Sequence, residues 1–396
     1  MTTLERIHQK LEAFGHTPHA GRAHEGADML KALFCEELGW GLPHGFTQRT
    51  LSLGAPVSRQ VTAIPVAQMS GLPVYYVAWP DDKPPGKIAR RAVQKALAPI
   101  SAEHLVCYVA SDRPQTGQPQ GGAPAVAFTW ARKRPDGKSE LRTLPYEVGA
   151  PARTTIEQLA EMAFSLEELE AGEPPVTVVT DKLSAAFSVE AVTEQFFADY
   201  RRIFADLQQR LLDALPSQQR DLEAKVWAHD YAMQLLNRLM FLYFIQRKRW
   251  LGDNPRFLRS FWESYKASAQ PADTFFERWL KVLFFEAFNN RFHGGYAQFP
   301  PDIAAALQMA PYLNGGLFRQ NRLDTAYEVN LPDEFFEQVF DHFNGSTPGL
   351  FERYNFTIAE STPLDVEVAV DPEMIGKVYE SLVNITFEGL TEEDLR

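Results

Sequence analysis

Cysteine is almost absent from this sequence: Cys35 and Cys107 are the only two in 396 residues. Two thiols cannot build a disulfide framework or a cysteine-rich zinc site, and such usage suits a reducing, cytoplasmic compartment. Long apolar runs are missing as well. The most hydrophobic stretch, Val226 to Gln246, is interrupted by His229, Asp230, Gln234, Asn237 and Arg238, so a helix buried in protein is expected rather than a membrane span. The first 30 residues carry His, Glu, Lys and Gln throughout and lack the apolar core of a signal peptide. His16, His19 and His24 are too loosely spaced to read as a zinc site.

An excess of basic residues is also lacking. The net charge is -12, from 39 Lys+Arg and 51 Asp+Glu. Residues 1–175 hold 18 Lys+Arg against 19 Asp+Glu, which leaves 21 against 32 for residues 176–396, a net of -11 there. The C-terminal part is therefore not expected to bind DNA by itself, because affinity for a phosphate backbone comes mostly from neutralising it with Lys and Arg.

What is abundant is aromatic. With 28 Phe, 13 Tyr and 7 Trp, and with 45% hydrophobic against 23% charged residues, the chain can bury substantial cores and is far from the composition of disorder. Its length is more than one core usually serves, so two or three domains are expected.

Residues 1–175 alternate between helical and extended patterns. His24 to Trp40 reads as a helix, with Met29, Leu30, Leu33, Phe34 and Leu38 at helical spacing and Gly39 and Gly41 as stop signals. Strands are expected at Val61 to Val66 and Val74 to Trp79, with a Ser70-Gly71 turn signal between them. A helix from about Lys87 to Leu97 then leads to strands at Leu105 to Ala110 and Ala125 to Trp130, and Ser111 to Pro124 reads as a loop. Gly172 to Pro175 marks a composition break. The expected fold class is α+β: an N-terminal α/β module over residues 1–175, degenerate nuclease-like or an interaction domain, then a mostly helical connector over residues 176–396. In the connector, helices are expected at Val176 to Ala186, Val189 to Ala214, Leu222 to Trp250, Phe257 to Tyr265, Phe275 to Asn289, Pro332 to Phe343 and Pro372 to Val383. The third is apolar on all sides, as a helix in the middle of a bundle would be.

Four stretches of the connector, taken together, resemble one family. Ala185-Phe187-Ser188-Val189-Glu190 continues to Phe196, Phe197 and Tyr200; Gln234-Leu235-Leu236-Asn237-Arg238-Leu239 runs on to Tyr243 and Gln246; Pro311-Tyr312-Leu313-Asn314-Gly315-Gly316-Leu317-Phe318 follows; Tyr354-Asn355-Phe356-Thr357 and Ile375-Gly376-Lys377-Val378-Tyr379-Glu380 complete the set. Their order resembles the region upstream of the catalytic domain in type IIG restriction-modification enzymes and in the adenine-specific DNA methyltransferases of BREX- and DISARM-like phage-defence systems. It covers roughly residues 176–396. The resemblance implies a parent that methylates adenine in DNA, with a Rossmann-like domain after this region carrying a glycine-rich S-adenosylmethionine loop and an Asn-Pro-Pro-Tyr type motif. Neither motif occurs in this sequence; the nearest fragment, Asp253-Asn254-Pro255-Arg256, lacks the second proline and the aromatic residue. No cofactor-binding, catalytic or metal-ligating residue is therefore assigned. Thr391-Glu392-Glu393-Asp394 reads as an exposed linker ahead of the expected domain. Read on their own physics, Asn237 and Arg238 are expected to satisfy buried neighbours, and the Asn-Gly-Gly segment to be a turn.

Type IIG enzymes also imply an N-terminal nuclease in which carboxylates on adjacent strands hold Mg²⁺ and a lysine assists the attacking water. The layout here is similar, but both expected strands lack acidic residues. The nearest groups are Glu36 and Glu37 on the first helix and Asp81-Asp82-Lys83 after the second strand. The basic residues suggest a different use. Lys87, Arg91 and Lys95 share an i, i+4 face, with Lys83 one turn earlier and Arg90 alongside, while Arg132-Lys133-Arg134 is expected in a hairpin turn near Lys138. Together they form a candidate phosphate-contacting strip.

Three function classes fit these features. The first is a DNA-positioning part of a modification enzyme, non-catalytic in itself, which meets DNA through its parent. The second is a Mg²⁺-dependent endonuclease using Glu36 or Glu37 with Asp81, Asp82 and Lys83. The third is an interaction module for a protein partner in a defence system.

Overall fold

The computed structural model of the chain describes residues 2–16, 23–81, 83–110, 125–149, 151–170, 172–313, 316–341, 348–357, 365–367 and 369–370. The Ser111 to Pro124 and Pro372 to Val383 expectations, with Asn314 and Gly315, lie outside them. The chain is α+β. It divides into two compact units, Met1–Val192 with Ala359–Ala369, and Thr193–Ile358 with Val370–Arg396.

The first unit is built on one mixed sheet. Among the described residues its strands are β1 (Arg49–Leu53), β2 (Arg59–Met69), β3 (Leu72–Trp79), β4 (His104–Ala110), β5 (Ala125–Lys133), β6 (Ser139–Glu147) and β7 (Asp365–Glu367), neighbours in that order. The β3–β4 and β6–β7 pairs are parallel and the others antiparallel. Ser70 and Gly71 both take positive φ, 51° and 78°, which matches the right-handed twist of the strands that a two-residue hairpin joins. Antiparallel strands can be joined this tightly, but parallel ones cannot, so the chain crosses from β3 to β4 through a helix.

Helices α1 (Thr3–Glu12), α2 (Ala23–Ala32), α3 (Lys87–Leu97), α4 (Arg153–Glu161), α5 (Leu166–Glu170) and α6 (Val176–Ala186) complete this unit. Val93 and Leu97 of α3 press on Leu51, Val61, Tyr75, Val77 and Tyr108, which alternate along their strands onto one side of the sheet. Gly26 of α2 meets the sheet through Tyr76, and an added Cβ there would stand 2.5 Å from the Tyr76 hydroxyl oxygen. A larger residue there would require the end of the Tyr76 side chain to shift.

Several boundaries differ from the sequence reading, each for a local reason. The helix expected over His24 to Trp40 is α2 followed by a π turn, Leu33–Glu37. Gly39 then turns the chain with φ 73°, where a Cβ would meet the Phe164 carbonyl oxygen at 2.5 Å. β5 runs three residues further than expected because Lys133 still pairs with Ser139, which places Arg132 and Lys133 on the strand and only Arg134 in the turn.

The second unit is helical. It contains α7 (Val189–Asp213), which enters it from Thr193, then α8 (Leu222–Arg247), α9 (Phe257–Lys266), α10 (Lys281–Phe285), α11 (Pro301–Gln308), α12 (Arg322–Thr325) and α13 (Asp333–Phe340). Asp221 caps α8 by accepting from the Ala224 backbone N–H, and Ala228, Ala232, Leu235, Leu236, Leu239 and Met240 are all fully buried. Apolar positions around the whole axis make α8 the centre of its unit. The single helix expected over Phe275 to Asn289 is three pieces: a π turn Phe276–Leu280, then α10, then a 3-10 turn Ala287–Asn289. Phe275, Phe276, Trp279, Leu280, Leu283 and Phe284 are all buried here, on one wide face.

His104, at the start of β4, is fully buried, and its Nδ1 donates to the Ser101 carbonyl oxygen at 2.9 Å. Burial pushes its pKa down from the ordinary 6.5 to about 4, against a smaller upward pull from that hydrogen bond. The folded protein therefore resists a proton that the unfolded chain accepts below 6.5, so this contribution is intact above pH 6.5 and lost as pH falls toward about 4. Urea unfolding at stepped pH is expected to show stability falling across that window by up to about 1.4 kcal/mol per pH unit more than in His104→Asn.

Candidate nucleic-acid interface

Helix α3 starts at the uncapped Gly86 and turns one face to the sheet. Arg90, Val93, Gln94 and Leu97 lie on that buried face, and Arg90 is only 7% exposed. This removes Arg90 from the solvent-facing row in which the sequence places it. Lys87, Arg91 and Lys95 remain. With Ile88 they line one side of a groove of about 690 Å³, and Gly54, Ala55, Pro56 and Val57 of the β1–β2 turn line the other. Lys83 is exposed but precedes the helix, which begins only at Lys87, so it does not extend the row by a helical turn as the sequence suggests.

The β5–β6 hairpin is tied to this helix. The Arg91 Nη1 donates to the Ser139 carbonyl oxygen at 2.7 Å, and the Gln94 Nε2 donates to the Ser139 hydroxyl at 3.0 Å. Ser139 is the strand partner of Lys133, so the hairpin cations are anchored to the helix that carries the others. Arg132 lays its guanidinium over the Trp130 ring at 5.6 Å, which leaves it half-exposed; Lys133 is exposed. Arg134 lies 3.9 Å from Asp136 in the turn, and the Lys138 backbone N–H donates to the same carboxylate at 3.1 Å. Gln94 and Ser139 are invisible to a search for charge, and it is they that join the two basic groups.

The acidic residues of the nuclease reading are placed differently. Glu36 accepts from Lys10 at 2.7 Å and Glu37 from Arg6 at 2.6 Å, both on α1. Asp81 accepts from Arg59 at 2.8 Å and from the Trp79 indole N–H at 3.0 Å, with Arg59 stacked on the same Trp79. Asp82 lies outside the described residues. Among the described residues no three His, Cys, Asp or Glu side chains gather as a metal would require. A divalent cation needs several oxygen ligands at one point, so the described residues do not fit Mg²⁺.

Phe196, Tyr200, Asn237, Arg238, Leu317, Tyr354 and Phe356, from the stretches that carry the family resemblance, meet in the second unit. The Arg238 guanidinium of α8, 1% exposed, donates to the Leu317 carbonyl oxygen at 2.6 Å and to both carboxylate oxygens of Asp324 at 2.6 and 2.9 Å. The rings of Phe284 and Phe285 flank it. Asn237, one residue earlier, accepts from the Tyr200 hydroxyl at 3.2 Å. Phe196 packs edge-on against Tyr354 at 5.1 Å, and Phe356 packs against Tyr243 and Phe244 of α8. These residues hold one another, and α8 is their common support.

Two outcomes are expected. Truncating Arg238→Ala strands the buried Asp324 carboxylate and costs about 3–5 kcal/mol; in denaturant unfolding, Arg238→Met paired with Asp324→Leu recovers most of that loss. Arg91→Ala, which breaks the bond to Ser139, lowers stability by about 1 kcal/mol, whereas Lys87→Ala and Lys95→Ala change it by less than about 0.5 kcal/mol in the same assay.

No family model matches the chain, and no solved structure matches it. A protein of Methanocaldococcus jannaschii named "Putative type II restriction enzyme and methyltransferase" is 34% identical over 167 residues. The matched segment is 40% of this chain and spans 12% of that protein's length. That identity relates this chain to restriction-modification proteins.

Proposed function

We propose that this chain is a DNA-positioning part of a restriction-modification enzyme. Adenine-N6 methyl transfer is the task of a separate domain that binds S-adenosylmethionine. This chain supplies a surface for the DNA backbone through its first unit and a rigid helical connector through its second. The row Lys87, Arg91 and Lys95 on one groove is the observation that carries the reading. The name of the related protein supports DNA as what the parent acts on. The sequence also lacks an Asn-Pro-Pro-Tyr type motif, which fits methyl transfer being done elsewhere.

The nuclease reading draws on the order α2, β1, β2, β3, α3, β4, a helix followed by strands and a crossover helix. It lacks chemistry to match: β1, β2 and β3 carry no acidic residue, and Glu36, Glu37 and Asp81 are each held by a cation. The purified chain is expected to bind duplex DNA with an affinity that falls steeply as salt rises. It is expected to leave a plasmid intact in Mg²⁺ and to transfer no methyl group from labelled S-adenosylmethionine. Absence of duplex binding at low salt, or sustained Mg²⁺-dependent cleavage, refutes the proposal.

A further inference from the structure

The α3 groove lies in a part of the sequence with an unusual charge pattern. From Leu38 to Pro80 there is no Asp or Glu, and none again from Lys83 to Ala102. Across residues 38–102 seven Lys and Arg stand against Asp81 and Asp82 alone, in a chain of net charge -12. Asp81 is itself taken up by Arg59 at 2.8 Å. A groove of one sign, cut into an otherwise acidic protein, concentrates a polyanion at that place.

The spacing of the cations says more. Lys87, Arg91 and Lys95 repeat every fourth residue, a rise of about 6 Å per step along α3. Successive phosphates on one nucleic-acid strand are spaced similarly, whereas carboxylates on a folded acidic protein have no such regular interval. Between the cations the groove is apolar: Ile88, 65% exposed, and Ala92 on the helix face Pro56 and Val57 on the turn. Such a lining suits the carbon face of deoxyribose. It is poor at reading bases, because it holds no aromatic ring to stack on and no Asn or Gln to pair with a base edge. Arg91, the one side chain with a bidentate fork, commits a nitrogen to Ser139.

We infer that this groove seats one sugar–phosphate strand of duplex DNA, with successive phosphates at Lys87, Arg91 and Lys95, and that it does so without regard to base sequence. The inference rests on the DNA-positioning reading and adds to it: the first unit is a sequence-blind anchor, and any base discrimination in the parent arises elsewhere.

The test uses the full chain and two duplexes of equal length and unrelated sequence, with affinity followed by fluorescence anisotropy across a salt series. Lys87→Ala with Lys95→Ala is expected to weaken both duplexes by the same factor and to make the slope of log affinity against log salt shallower by about 1.8. Ile88→Glu, which sets an acid among the phosphates, is expected to weaken both at least tenfold. Circular dichroism of each variant verifies the fold. If the wild type binds and the double variant keeps the wild-type affinity and slope, the groove is not the seat, although DNA positioning by another surface survives. A loss confined to one duplex overturns the sequence-blind claim. Unchanged duplex binding with lost binding to polyglutamate assigns the groove to an acidic polypeptide instead. A wild type that binds neither duplex removes the DNA-positioning reading and this inference with it.

Discussion

Parallel pairing of β3 with β4 is the constraint from which the arrangement of the first unit follows. A parallel pair cannot be closed by a tight turn, so the chain must leave the sheet and return, and α3 is that return path. Once Val93 and Leu97 are committed to the sheet, the helical period leaves Lys87, Arg91 and Lys95 on the far side. The same commitment buries Arg90. The basic row is thus a consequence of strand polarity and helix geometry together, and neither element would create it alone.

The second unit answers a different requirement. An α8 that is apolar around its whole axis must be enclosed on all sides, and much of the enclosing material is aromatic. Rings meet edge-on, tilted or stacked, and short polar links set the register of the segments that carry them. The Arg238–Asp324 pair is the strongest of those links. It fastens α12 and the Gly316–Phe318 turn to the central helix, and its full burial means that both partners must be present for either to be tolerated. Buried charge of this kind is a poor source of net stability and a good source of specificity, because it penalises every packing that separates the two groups.

How much of this could be read from the sequence follows the range of the physics involved. α3 and α6 were legible because helical periodicity is local, and the β2–β3 hairpin because Ser70 and Gly71 mark its turn. Arg238 was legible as a satisfied buried group, since a guanidinium inside an apolar helix must find acceptors; that they would be Leu317 and Asp324 was not, because they lie about 80 residues away. The π turns at Leu33–Glu37 and Phe276–Leu280 were hidden because their apolar spacing reads the same as that of a regular helix. The Lys87, Arg91 and Lys95 face was visible as spacing, but its opposing wall, the β1–β2 turn, emerged only with the folded chain. Burial of Arg90 was equally out of reach, since a cation next to Arg91 reads as part of the same charged face.

The grip of Arg91 and Gln94 on Ser139 has a mechanical side. It couples the β5–β6 hairpin to α3, so the interval between the helix row and Arg132, Lys133 and Arg134 is set inside the protein. A polyanion that touches both groups of cations must bring its own charges to that interval. Where its natural pitch or curvature differs, the elastic work of adjustment falls on the polymer, and stiff and pliant duplexes then differ in how well they fit even where no base is touched.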